Sequence, residues 1–147
     1  MCVSIFFASE PAGGMRWRRS FPGQARYAAA ARRFVAALLD DCPFLDEVTL
    51  AADELVVNAL RHTRSGGPGG TFAVDVGRWD ALVAVAVSDQ GGPNEPAVVD
   101  AHELAECGRG LRTISAMAAG WGWFGNEQAR TVTAVFASSG VSWVAAA

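Results

Sequence analysis

Asp53-Glu54-Leu55-Val56-Val57-Asn58-Ala59-Leu60-Arg61-His62-Thr63 is the stretch on which the reading of this sequence turns. Apolar residues at Val48, Ala52, Leu55 and Ala59 recur at helical spacing, so the stretch belongs to a helix over about residues 45–63. On it Glu54, Asn58 and His62 follow one another at i, i+4 and i+8, which spreads them over only about 80° of the circumference. That face borders the apolar stripe. The three polar heads therefore sit at the rim of the core, half sheltered, where a carboxylate can serve as a base and an amide oxygen can meet a cation. A surface Glu, a packing Asn and a capping His would produce the same spacing. A half-buried polar line is costly, however, unless something satisfies it.

Upstream of this helix, Phe21-Pro22-Gly23 signals a turn, and the Ala-, Arg- and Leu-rich residues 24–40 read as a first helix with Arg26, Arg32 and Arg33 on its solvated side. Before it, residues 3–8 and 15–20 can supply one or two edge strands. Downstream, the Gly- and Pro-rich residues 65–70 end the central helix. Residues 71–77 and 81–88 are β-rich runs joined by a short turn at 78–80, the pattern of an antiparallel hairpin. The second contains Leu82-Val83-Ala84-Val85-Ala86-Val87, almost wholly apolar, as expected of a central strand. Residues 90–107 are polar, acidic and turn-prone. A third helix over 111–119 and strands over 121–124 and 131–137 complete the list. Trp121 and Trp123 alternate on a strand and so project to one face, best read as core. Helices intermixed with antiparallel strands argue for an α+β sandwich with helices on one face of a sheet.

Composition sets the limits. A chain of 147 residues with 51% hydrophobic and 18% charged residues fits a single domain able to bury a core without disulfide or metal staples. The net charge of -3 supplies no general attraction to nucleic acid or anionic membrane. All 12 basic residues are arginine. The absence of lysine excludes a GxxxxGK phosphate loop, a pyridoxal Schiff base and a VAIK-type kinase. Cys2, Cys42 and Cys107 are widely spaced, and with only His62 and His102 they make no zinc-ligand pattern, so reduced thiols in a cytoplasmic protein are expected. Residues 3–8 are too short and uncharged at their start for a signal peptide, and no apolar run approaches the ~18 residues of a membrane span.

Two further motifs stand beside the helix. Asp89-Gln90-Gly91-Gly92 closes the most apolar strand: a carboxylate there can accept a hydrogen bond from an exocyclic amine such as that of adenine, and glycines let a flat ring approach the backbone. Gly108-Arg109-Gly110-Leu111 opens a helix, where free backbone N–H groups suit a polyphosphate and Arg109 can add charge. Either motif alone is also what an ordinary turn or helix entry looks like.

Their order and spacing are more specific. Glu-x3-Asn on a helix, two strands, Asp-x-Gly-Gly, a connection of some twenty residues and Gly-x-Gly opening a helix together resemble the Bergerat ATP-binding fold of gyrase-type ATPases, Hsp90 and histidine kinases. Within that superfamily, also called GHKL, the chain looks most like single-domain anti-sigma regulatory factors of actinomycetes, which are serine/threonine protein kinases. The resemblance covers about residues 17–136 of a single domain spanning 1–147, and it implies a two-layer Bergerat-type sandwich with a mixed, largely antiparallel sheet.

The resemblance implies roles residue by residue. Glu54 matches the catalytic base, and Asn58 the ligand that holds Mg2+ against the phosphates of ATP. Asp89 matches the adenine-reading carboxylate, and Gly91, Gly108 and Gly110 the glycines of the nucleotide site and its lid. Gly92, Arg109, Leu111 and His62 belong to the same expected nucleotide-binding set. Thr131, in Arg130-Thr131-Val132, matches an adenine-side position; Ala129 stands where the family usually has Gly. Arg109 or Arg112 is the lid-borne cation nearest the phosphates, and Cys107 precedes the lid glycines. The implied activity is transfer of phosphate to a serine or threonine of a STAS-type anti-anti-sigma partner, which controls the availability of a sigma factor. The alternative is a nucleotide-dependent interaction module with the same pocket and no phosphotransfer. Expected partners are a sigma factor, the anti-anti-sigma protein or both; such relatives often dimerise, and the sequence leaves a homodimer open; neither nucleic acid nor membrane is expected.

Overall fold

A computed structural model describes residues 13–97 and 109–137. Strand β1 (Met15–Pro22) leads into helix α1 (Tyr27–Leu38) and the central helix α2 (Leu45–His62); a 3-10 turn (Arg64–Gly66) precedes β2 (Thr71–Trp79) and β3 (Leu82–Asp89). Helix α3 (Arg109–Met117), β4 (Gly120–Gly125) and β5 (Arg130–Ala137) follow. The strands form one five-stranded sheet in the order β1-β2-β3-β5-β4. Every pairing is antiparallel, so the mixed character expected of the sheet is absent among the described residues.

The apolar run read as a central strand is one: β3 lies between β2 and β5, with Val83, Val85 and Val87 all buried. Because side chains alternate along a strand, these valines, together with Phe72, Val74, Val76, Val132, Ala134 and Phe136, form one continuous apolar face. The helices cover that face. From α2 come Val48, Ala51, Ala52, Leu55, Val56 and Ala59, the expected stripe widened by two residues; α1 adds Ala31 and Val35, and α3 adds Leu111 and Ile114. Arg26, Arg32 and Arg33 are exposed, as expected. Trp121 and Trp123 pack half-buried against the same core.

The opposite face of the sheet carries Ala84, Ala86, Thr133 and Val135, all buried, and Asp75, only 2% exposed. Asp75 pairs with Arg18 at 2.6 Å and with Arg16 at 3.1 Å, two arginines on the same side of the neighbouring strand β1. Element boundaries move by up to three residues from the sequence reading, most at the start of α1, where residues 24–26 form turns that lead in from Pro22. The expected strand over 3–8, His102, the thiols of Cys2 and Cys107, and the tail beyond residue 137 lie outside the described residues; Cys42 is a buried free thiol.

Candidate nucleotide site

Helix α2 runs its full length over the core, and its last two turns overhang the ends of β3 and β5. There the apolar stripe gives way to polar residues: Glu54, Asn58 and His62 are each half-buried, at the rim where their spacing puts them. Thr63 ends the helix, its hydroxyl donating to the Ala59 carbonyl at 2.6 Å and accepting from the Ser65 N–H at 3.1 Å. The chain turns sharply at that cap. Ser65, fully buried, then accepts from the Gln90 N–H at 2.9 Å, and the Arg64 N–H reaches the Gly91 carbonyl at 2.8 Å. These bonds lock the end of α2 to the end of β3, so the two sequence-distant motifs share one wall.

Between them lies a cavity of about 270 Å3. Its walls are Leu55, Asn58, Ala59 and His62 from α2 with Thr63, Val87 and Asp89 from β3, Arg130 and Val132 from β5, Leu111 from α3, and residues 94–97 across the mouth. An apolar pocket of this kind with a few convergent polar groups is the usual form of a small-molecule site, and its volume is near the lower end of the ~300–1,000 Å3 such sites span. The aliphatic walls suit a flat ring. The polar groups at its end suit the edge of that ring.

Asp89 sits at that end. Its Oδ1 accepts from the Gly91 N–H at 2.7 Å, and no bond holds Oδ2 among the described residues. Burial pushes the carboxyl up from the ordinary carboxylate range; the Gly91 N–H and the positive charge of Arg130 partly oppose that rise.

The glycines of the motif serve differently from the sequence expectation. Gly91 has φ +72°, and a Cβ on it would lie 2.2 Å from the Glu127 carbonyl oxygen, so glycine is needed to turn the chain beneath the 126–129 turn. It does not line the cavity. Gly92 backs onto the His62 carbonyl, 2.9 Å from where a Cβ would stand. Gly110 lies in the first turn of α3 directly against Glu54: a Cβ there would come within 2.6 Å of the Glu54 Oε2. Glu54 is therefore held beside the start of α3, one turn along α2 from the cavity wall, and Leu111 of the same turn reaches into the cavity. Gly108 and the side chain of Arg109 lie outside the described residues, and Arg112 is exposed and away from the cavity.

Thr131 is displaced from the role its position implies. It stands on the sheet face opposite the helices, where its hydroxyl bonds to that of Ser88 at 2.9 Å. Alternation decides this: Asp89 and Arg130 are cross-strand partners on the cavity side, so their neighbours Ser88 and Thr131 must project the other way. Arg130 is the group at the site that the sequence reading passed over. It is 4% exposed, donates to the carbonyls of Gly92 and Asn94, stacks over Trp123 at 5.3 Å, and leaves its Nε without a partner. An unmet buried donor costs about 1–3 kcal/mol, and more when charged. The sequence alone does not show this, since only the β3–β5 register places Arg130 across from Asp89.

No group of three or more His, Cys, Asp or Glu side chains that could hold an ion occurs among the described residues. Mg2+ keeps several waters and is bound by one or two protein oxygens together with substrate phosphates, and the Asn58 amide oxygen, in the cavity wall, is the candidate for it.

The sheet order, the helix carrying Glu54 and Asn58, and the cavity bounded by Asp89 define an ATPase-type α+β sandwich. The chain belongs to the family of histidine kinase-like ATPase domains, whose model matches residues 21–136. No curated protein matches the sequence. The domain is of a nucleotide-binding type, and no helix among the described residues is long and apolar enough to cross a membrane.

Proposed function

We propose that this chain is an ATP- and Mg2+-dependent regulatory protein kinase of the cytoplasm, which phosphorylates a serine or threonine of an anti-anti-sigma partner and so controls how much sigma factor is free. The observation that supports this most is the placement of Glu54: half-buried, beside the first turn of α3, and adjacent to the cavity wall that Asn58 forms. The base enters between α2 and the sheet with its amine toward Asp89. The phosphates extend past Asn58 toward the start of α3, where N–H groups with no partner in the helix face them.

Phosphoryl transfer asks for charge neutralisation and in-line positioning more than for covalent help. Mg2+, held by the Asn58 amide oxygen, supplies neutralisation when bound. Glu54 takes the proton of the partner's hydroxyl, whose oxygen forms a bond to the γ-phosphorus as the bond to the ADP oxygen breaks. Leu55, Ala59, Val87 and Val132 keep water from the base.

The test is transfer of labelled γ-phosphate to a STAS-type anti-anti-sigma protein by wild type and Glu54→Gln. Transfer lost in the variant with ATP binding retained is the expected result. ATP-dependent capture of the partner, unchanged in Glu54→Gln and without phosphorylation, would contradict the kinase and support the interaction module.

A further inference from the structure

One side of the cavity has little to hold it in place. Asn94, Glu95, Pro96 and Ala97 all line the cavity, yet of residues 93–97 only Pro96 is even half-buried. Gly92 still backs onto the His62 carbonyl at the end of α2. Past it, no backbone hydrogen bond ties residues 93–97 to any other described residue. The bonds that do reach the segment, among the described residues, come from a single side chain: the Arg130 guanidinium donates to the Gly92 carbonyl at 3.0 Å and to the Asn94 carbonyl. An exposed stretch with few buried contacts opens locally at little cost unless something tethers it.

Arg130 is itself well fixed. It is 4% exposed, stands on β5 across from Asp89, and lies over the Trp123 ring of β4 at 5.3 Å. Among the described residues no carboxylate lies within ion-pair distance of it, so this buried charge is directed at two carbonyls of a cavity wall. The rigid planar fork of a guanidinium can hold two such acceptors at once, which the single head of an ammonium does not reproduce.

We propose that Arg130 is a positioning residue of the nucleotide site, its fork holding residues 92–97 against the cavity so that this wall is in place before ATP arrives and stays in place while ATP is bound. This rests on the nucleotide reading above. Arg130 acts through the wall and needs no contact with the ligand. A wall formed in advance has less to lose in ordering on binding, and its loosening shows chiefly as faster release.

The test compares wild type, Arg130→Lys and Arg130→Met in ATP dissociation rate with Mg2+ present and in backbone N–H order parameters. Arg130→Lys keeps the positive charge near Asp89 and loses the fork, so it separates the tether from the charge, and it serves alone if Arg130→Met does not fold. The expected result is ATP release about tenfold faster in both variants. Order parameters at Asn94, Glu95 and Ala97 should fall from the ~0.85 of rigid backbone to below ~0.6, while those of β3 and β5 stay as they were. An arginine with a merely structural role would lower the unfolding midpoint and leave the release rate and these three amides alone. That outcome would overturn the proposal, as would low order at these amides in the wild type or an Arg130→Lys variant that releases ATP at the wild-type rate. Absence of ATP binding by the wild type would instead remove the nucleotide reading, and this role with it.

Discussion

The two faces of the sheet treat their polar groups differently at the same strand ends. On the face away from the helices, polar side chains satisfy one another: Ser88 bonds Thr131, and Asp75 is held by Arg16 and Arg18. Thr133, with a buried hydroxyl lacking a partner, is the exception, and it is neutral. On the helix face, next to Ser88 and Thr131 along their strands, Asp89 has an oxygen with no protein partner and Arg130 a buried Nε–H with none, and both residues line the cavity. A fold gains nothing from such atoms without a ligand. Closed polar pairs therefore mark structure, and open charged ones mark a site.

The most damaging way to break the cavity side is Gly91→Ala. A left-handed backbone and a Cβ set 2.2 Å from a carbonyl oxygen leave no relaxed position. We expect a loss of about 3 kcal/mol in denaturant unfolding, since the obstructing atom is backbone and cannot swing aside.

Asp89→Asn separates stability from function. The amide can still accept from the Gly91 N–H but no longer buries a charge, so the free protein should gain stability while ATP binds about tenfold to a hundredfold more weakly. The same carboxyl makes binding depend on pH. Its folded pKa is raised above the ordinary 3.8, so in the window between the two the native state holds a proton that the unfolded chain lacks. Asp89's contribution to stability is then fully favourable below that window and falls as pH rises through it. ATP affinity runs the other way, dropping on acidification as the carboxylate is protonated, and Asp89→Asn should abolish both trends in parallel calorimetric and unfolding titrations.

On the other face, Asp75→Ala should cost about 1–2 kcal/mol, discounted because its arginine partners are 37% and 52% exposed. ATP affinity should not change. The smallest effect is expected of Thr131→Val, which loses one neutral hydroxyl pair and should leave nucleotide affinity as it was. A tenfold loss there would put Thr131 in the site and undo the contrast between the faces.

These expectations show what the sequence makes legible. Apolar periodicity gave α2 and β3 almost to the residue, because both lie in the middle of the core where burial dictates the pattern. The polar line Glu54, Asn58, His62 was legible for the same reason, as the edge of that stripe. Thr131 and Arg130 were not: adjacent residues on a strand face opposite ways, and only the β3–β5 register says which one shares a wall with Asp89. The demand on Gly91 was hidden as well, because it comes from Glu127, far along the chain.

The central claim is that the cavity between α2 and the ends of β3 and β5 holds ATP, read by Asp89. Calorimetric titration of the wild type and Asp89→Asn with ATP in the presence of Mg2+ tests it most directly. The account predicts saturable one-to-one binding that weakens at least about tenfold in the variant. Binding of equal strength in the two proteins, or none in the wild type, would contradict it.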